Sequence, residues 1–244
     1  MHARNLILWA VVAALACAPL SAGIIGNWSG SARSWNSSEF STVRALMIAQ
    51  GHTVQADGAM SAGALAGVNM YIVGEPSSTP GGAELTALLN WVTGGGVVLL
   101  LGDSGGSGQT GLNAVSAGLG SSLSWGGSAS SQPALAGGVF ATTGPPYDIV
   151  GQSLSTTAGT TVSGGTALTG DYIRWDQIGT GYVFGFGDRS DHNFFSPSTS
   201  NVNGELFLNL TAHSASDNVI PEPSTFFLLG TGLALAGLWT RRGR

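Results

Sequence analysis

The chain has 244 residues and a formal net charge of −5. Only 9% of its residues are charged, where about 25% is usual for a soluble protein. All eight basic residues are arginines, and four of them lie in the first five or last four residues. A chain with so little positive charge has no surface for a phosphate backbone, so nucleic-acid binding is excluded.

The first 23 residues have the three parts of a secretory signal peptide. Arg4 precedes an uninterrupted apolar stretch at 6–18, and small residues follow at 19–23. This order predicts export, with cleavage near residue 22 or 23. The only cysteine, Cys17, lies inside the segment to be removed. The mature chain therefore has no disulfide and no thiol nucleophile.

Strand and helix patterns alternate between residues 24 and 120. The apolar residues of two segments recur at intervals of three and four, which predicts helices with one buried face. In chain order, we predict a strand at 24–25, a helix through Phe40, Val43 and Met47, strands at 52–56 and 68–73, a helix capped by Thr79 through Leu85, Leu88, Leu89 and Val92, and a strand at 97–101. The last run is entirely apolar, as expected for a parallel strand buried on both faces.

The second half of the domain has a looser pattern. Residues 120–170 are rich in Gly, Ser, Thr and Ala, which predicts short strands and long loops. Strand patterns return at 171–175 and 181–186 and favour a hairpin, and 203–212 predicts a closing helix. The predicted fold class is α/β: a single doubly wound, mostly parallel sheet over residues 24–213, with a β-rich, loop-rich second half.

The last 26 residues differ from the domain in composition. Pro221, Glu222 and Pro223 precede an apolar run at 226–239, and an arginine cluster of Arg241, Arg242 and Arg244 follows. The run has 14 residues, fewer than the roughly 20 of a permanent membrane span. Terminal arginines hold the C-terminus on the cytoplasmic side. The pattern predicts a transient transmembrane segment, reached through a linker at 214–220.

The order of these three parts resembles the PEP-CTERM sorting signal of Gram-negative envelope proteins. The resemblance implies recognition by an exosortase-type membrane protease, which would remove the tail near 221–223. It implies transient association with the inner membrane, and then a location in the outer envelope or outside the cell. The producer would be a Gram-negative bacterium that makes exopolysaccharide, so an exopolysaccharide or biofilm partner is expected. No cofactor is expected.

A second resemblance concerns the domain. The segments at 88–102 and 179–187, together with the closing helix, resemble the class I glutamine-amidotransferase-like fold. This implies a flavodoxin- or amidotransferase-like sheet. Enzymes of that family carry a cysteine nucleophile on the turn after a central strand, and the matching turn here, 102–106, has none. Together with the sorting signal, the missing nucleophile leads us to expect a non-catalytic envelope or extracellular-matrix protein.

The same turn has the string Gly-Asp-Ser-Gly-Gly, which suggests a surface serine hydrolase as an alternative. Ser104 would be the nucleophile, His192 its base, and Asp188 or Asp191 the group that orients the base. The match to trypsin-like proteases is rejected because the flanking segments alternate between strand and helix. The string also resembles that of GDSL-type hydrolases, but the histidine spacing differs. A simpler interpretation is that the glycines let the chain leave the sheet.

Two kinds of binding site are further alternatives. Asp188 and Asp191, with Glu75 and Asp103 from the same sheet edge, offer oxygen ligands to calcium. Alternatively, Asp188 pairs with Arg189 or Arg174 in a solvated loop. Six aromatic residues lie among Ser, Gly and Asn, where exposed rings stack on sugars, although such residues are more often part of the core. They are Trp28, Trp35, Trp125, Tyr147, Tyr172 and Trp175.

Overall fold

The computed structural model describes residues 22–103, 108–129, 149, 151–152, 154, 159–188 and 203–216. Most of the predicted signal peptide and the whole predicted sorting signal lie outside these residues. The strands are β1 (Ile24–Trp28), β2 (Ser31–Arg33), β3 (Thr53–Gly58), β4 (Met70–Pro76), β5 (Val97–Leu101), β6 (Ser124–Ala129), β7 (Gly159–Ser163), β8 (Thr166–Thr169), β9 (Ile173–Ile178) and β10 (Gly181–Phe186). The helices are α1 (Ser41–Ala49), α2 (Ala62–Leu65), α3 (Gly82–Thr93), α4 (Gln109–Gly118) and α5 (Asn203–Ser216), and a 3₁₀ turn, Ser38–Phe40, precedes α1.

The main sheet is mixed and mostly parallel. Its strand order is β3-β1-β4-β5-β10-β9-β8. The first five of these strands run parallel, and β9 and β8 continue the sheet in antiparallel pairing. The short strand β2 pairs antiparallel with the end of β4, and β6 and β7 form a separate pair. The α/β fold with a large, mostly parallel sheet is therefore confirmed.

Helices cover both faces of this sheet. Side chains alternate between the faces along a strand, so β5 contributes to two cores. Val97, Leu99 and Leu101 pack in the cluster that contains residues of α1 and α5, and Val98 and Leu100 pack in the cluster that contains residues of α3 and α4. All five residues of β5 are buried, which explains why the sequence shows a continuous apolar run there.

Several predicted elements end where their local sequence indicates. Helix α1 is followed by Gly51 in the left-handed region, with φ of +88°. The predicted hairpin forms between β9 and β10. Helix α3 begins at Gly82, and its first turn is capped by Glu84, whose carboxylate accepts a hydrogen bond from the Gly81 amide at 3.0 Å. The prediction that Thr79 caps this helix was wrong.

The closing helix is longer than its apolar pattern indicates. Helix α5 continues from the predicted end at residue 212 to Ser216. Ser214 is buried, and its hydroxyl donates to the Thr211 carbonyl at 2.8 Å. Such a bond lets a polar residue lie inside the last turns of a helix. The first three residues of the predicted linker therefore extend the domain.

Candidate functional site at the carboxyl edge of the sheet

Three acidic residues lie at the carboxyl ends of adjacent parallel strands. Leu101 at the end of β5 pairs with Gly74 of β4 on one side and with Phe186 of β10 on the other. Glu75 comes one residue after Gly74, Asp103 comes two residues after Leu101, and Asp188 comes two residues after Phe186. Glu75 and Asp188 are buried, and Asp103 is half-buried. This edge is where parallel α/β sheets bind ligands.

The remaining candidates for chemistry lie outside the described residues. Ser104, Asp191 and His192 belong to this group, so the predicted hydrolase residues remain a prediction. In the part of the chain that the structure describes, no three histidine, cysteine or acidic side chains are placed to hold a metal ion. The predicted calcium site, which needs Asp191, also remains a prediction.

Arg174, one of the two arginines proposed as partners of Asp188, has other partners. Its guanidinium donates to the backbone carbonyls of Gly164, Gly165 and Gly170, at 3.0 Å for Gly165 and 2.8 Å for Gly170. Arg189, the other proposed partner, is outside the described residues. The turns on either side of β8 thus use Arg174 to satisfy their carbonyl groups, and the pairing of Asp188 with Arg189 stays a prediction.

Glu75 has the most unusual backbone at this edge. Its φ is +40°, and among the described residues it is the one non-glycine residue in that region. The start of α4 packs directly on it: a Cβ placed on Gly108 would lie 2.6 Å from the Glu75 Cα. A non-glycine residue in this conformation costs about 1–3 kcal/mol and persists only where its surroundings enforce it. The close approach of α4 is such an enforcing contact.

The place where the strand order reverses is occupied by the chain itself. Ligands of doubly wound sheets bind where neighbouring strands connect to opposite sides, which here is between β1 and β4. After β1 the chain turns back, and β2 pairs with the end of β4 through Ser31–Pro76 and Arg33–Gly74. The Gly74 amide also donates to the Ser31 hydroxyl at 3.1 Å. Strand β2 thus fills part of the expected crevice.

A polar network holds the loop after β2 against the ends of β1 and β3. Buried Asn27 accepts a hydrogen bond from the Trp35 amide at 3.0 Å and donates to the Gln55 carbonyl at 3.2 Å. The Asp57 carboxylate accepts hydrogen bonds from the Ser34 hydroxyl at 2.9 Å and from the side-chain amide of Asn36 at 2.6 Å. These polar groups bind the loop, which gives them a structural role.

Trp125 covers the ends of β5 and β10. Its indole N–H donates to the Phe186 carbonyl at 3.0 Å, and the Gly102 amide donates to the same oxygen at 2.9 Å. A Cβ on Gly102 would lie 2.8 Å from the indole, and a Cβ on Gly185 would lie equally close to it. The first glycine of the Gly-Asp-Ser-Gly-Gly string is therefore required by the packing of this indole.

Burial contradicts the predicted sugar-stacking role of most aromatic candidates. The side chains that are buried are Trp28, Trp35, Trp125 and Tyr172, all with 4% exposure or less. Trp175 is half-buried and makes an edge contact with Tyr182, with ring centroids 5.7 Å apart. Tyr147 is outside the described residues. All four buried rings belong to the core clusters, and those of Trp28 and Trp125 lie against Gly30 and Gly102, where a Cβ would clash with the indole.

Comparison with known proteins identifies the tail. Residues 219–244 match the family model described as the PEP-CTERM protein-sorting motif. The chain carries a PEP-CTERM sorting signal. This motif implies export, a transient membrane anchor and processing by an exosortase-type membrane protease. No curated protein sequence is significantly similar to the chain. None of the helices in the described part is long and apolar enough to cross a membrane, and the motif itself lies outside that part.

Solved structures resemble the domain in fold. One is the "mmIFT52 N-terminal domain", with a TM-score of 0.58 and 13% identity over 80% of this chain and 99% of that one. Another is "Cytoplasmic Protein STM1381 from Salmonella typhimurium LT2", with a TM-score of 0.54 and 12% identity over 79% of this chain and 99% of that one. At such low identity these similarities show the fold alone. Neither description names an amidotransferase.

Proposed function

We propose that this PEP-CTERM protein is a non-catalytic component of the cell envelope or extracellular matrix. The observation that carries the proposal is the sorting motif at 219–244, which two residues separate from the end of α5. The signal peptide predicted at 1–23 would start export, and the apolar run at 226–239 would hold the folded domain at the inner membrane until the tail is removed. The released domain would then join an exopolysaccharide-containing matrix.

The carboxyl edge of the sheet supports the non-catalytic part of the proposal. Strand β2 fills part of the crevice between β1 and β4, and Trp125 covers the ends of β5 and β10. The polar side chains at the ends of β1 and β3 hold a loop. In the described part of the edge, the protein's own residues thus occupy part of the space in which a ligand would bind.

The strand order supports a flavodoxin- or amidotransferase-like domain. If the five parallel strands are renumbered 1 to 5 in chain order, their order across the sheet is 2-1-3-4-5. Flavodoxin-like sheets have the same strand order. A domain of this kind without a cysteine in its mature part would keep the scaffold of the amidotransferase-like family and lack its nucleophile. Its role would then be binding or assembly.

Processing of the tail tests the sorting part of the proposal. We expect Glu222→Gln, inside the motif, to leave the protein membrane-bound at full tail length in the producing bacterium. Asp217→Asn is the matched control, because it removes a carboxylate five residues away and outside the matched segment. Deletion of the exosortase-type protease should reproduce the Glu222→Gln phenotype. Normal processing in both the Glu222 variant and the deletion strain would refute the proposal.

A covalent probe tests the non-catalytic part. A fluorophosphonate labels a serine only when a neighbouring base activates its hydroxyl. We expect no labelling of the purified domain at Ser104, and no difference between the wild-type chain and a Ser104→Ala variant. Labelling that is lost in Ser104→Ala and in His192→Ala would replace this proposal with the hydrolase alternative.

A further inference from the structure

The two ends of the domain meet at the amino edge of the sheet, where the parallel strands begin. Asn69, directly before β4, joins them. Its side-chain oxygen accepts a hydrogen bond from the amide of Ile24, the first residue of β1, at 2.8 Å. Its side-chain nitrogen donates to the carbonyl of Ser214, in the last turn of α5, at 3.5 Å. Both predicted membrane-directed segments therefore leave the domain from the same edge.

Charged side chains are concentrated away from this edge. Among the described residues they lie at the carboxyl ends of the strands, in the loops that follow them, in the first turns of α3 and α5, or near the start of β9. Arg44, in the middle of α1, points the same way, since its guanidinium donates to the Trp35 carbonyl at 2.7 Å. The exception in the described part is Asp176 in β9, whose carboxylate accepts hydrogen bonds from Ser121 and Ser122.

The amino edge also has an exposed apolar side chain. Ile48 is 56% exposed, and it is the large hydrophobic residue with high exposure in the described part of the chain. It lies in the last turn of α1, directly before the loop that enters β3. A single exposed isoleucine is common on soluble proteins. Here it lies on the same edge as both chain ends, so an exposed apolar side chain is found where both membrane-directed segments leave the domain.

We propose that the amino edge of the sheet lies against the lipid bilayer surface while the sorting signal is anchored. The proposal rests on the function proposed above and adds the orientation of the domain. Apart from Asp176, whose carboxylate is hydrogen-bonded to two serines, the described residues of this edge carry no charged side chain. The edge therefore approaches the bilayer with little cost of removing water from ions. The opposite, mostly acidic edge is repelled by anionic lipid headgroups. It therefore points away from the membrane, towards other envelope components.

The length of the tether supports this orientation. Nine residues, 217–225, separate the end of α5 from the apolar run, and a fully extended chain of that length spans about 32 Å. A compact domain of roughly 195 residues is about 40 Å across. A tether that begins at the amino edge is thus too short to pass around the domain and bring the carboxyl edge to the bilayer.

Two single-cysteine variants test the orientation, made in a chain that begins at residue 23 and keeps the tail, so that the signal peptide cannot itself hold the amino edge at the bilayer; this chain has no native cysteine. Gln50→Cys lies at the amino edge before β3, and Ser78→Cys lies at the carboxyl edge after β4; both positions are exposed. Each variant is labelled with a fluorophore and inserted into protein-free vesicles of zwitterionic and anionic lipids. Some of these lipids carry a nitroxide on the headgroup, and nitroxide-free vesicles are the control.

We expect headgroup nitroxides to quench the label at position 50 at least threefold more than the label at position 78. Equal quenching, or stronger quenching at position 78, would overturn the orientation while leaving the sorting proposal intact. If the label at position 50 is quenched only after the exosortase-type protease is added to the vesicles, the amino edge binds that protein and not the bilayer. This result would also overturn the orientation. A chain that fails to float with the vesicles would refute both the anchoring and the orientation.

Discussion

Replacing Gly108 with alanine should strongly destabilise the domain, because two effects act at that position. Its φ of +72° is unfavourable for any residue with a Cβ, at a cost of roughly 1–2 kcal/mol. The new Cβ would also lie 2.6 Å from the Glu75 Cα and 3.0 Å from its carbonyl carbon. Backbone atoms cannot rotate away, so overpacking adds about 1–3 kcal/mol.

Gly51→Ala is the matched control for this variant. Gly51 also has a positive φ, of +88°, but no atom lies within 4 Å of a Cβ placed there. The reduced entropy of the unfolded chain returns about 0.4–1 kcal/mol in both variants. We therefore expect Gly51→Ala to cost about 1 kcal/mol or less, and Gly108→Ala to cost about 2–4 kcal/mol.

Urea unfolding of the domain without its two signal segments measures both values, with the fluorescence of the buried tryptophans as the readout. The difference between the two variants isolates the contact between α4 and Glu75, because their backbone conformations are alike. Equal losses of stability in Gly108→Ala and Gly51→Ala would refute the close packing of α4 on the end of β4. That result would also remove the contact that holds Glu75 in its strained conformation.

Three further predictions concern polar groups that are buried or hydrogen-bonded. Burial lowers the pKa of His52 below its ordinary value of 6.5, so the unfolded chain binds a proton more readily than the folded chain. The free energy of unfolding should therefore decrease as the pH is lowered through 6.5, and this decrease should be smaller in His52→Gln. Trp125→Phe loses the bond to Phe186 and should cost about 1–2 kcal/mol in urea unfolding. Asp176→Ala removes the acceptor of hydrogen bonds from two serines and should cost about 1.5–3 kcal/mol. A stability that does not change with pH would contradict the His52 prediction, and unchanged urea midpoints would contradict the other two.

The central elements of the fold follow from the sequence because their patterns are local. The apolar run in β5 requires burial on both faces, and the spacing of Leu88 and Val92 gives α3 one buried side. Strand β2 has no such pattern. Its three residues, Ser-Ala-Arg, become a strand because β1 ends before β4 does and leaves the end of β4 open for pairing.

The aromatic residues show why the candidate site was harder to predict. Tryptophans among serines and glycines suggest exposed rings, but the glycines create space for them. The ring of Trp28 packs on Gly30, that of Trp91 on Gly96, and that of Trp125 on Gly102. No side chain larger than hydrogen fits at these positions, so the glycine-rich composition helps to build the core. This pairing depends on contacts across the fold and has no fixed spacing in the sequence.

The mass of the protein recovered from the cell surface tests the central claim most directly. The account predicts an intact mass for a chain that begins near residue 22 or 23 and ends near 221–223, without the apolar run and the terminal arginines. The same measurement in a strain without the exosortase-type protease should give a chain with its complete tail, held in the membrane fraction. A surface protein that retains residues 226–244 would contradict the account.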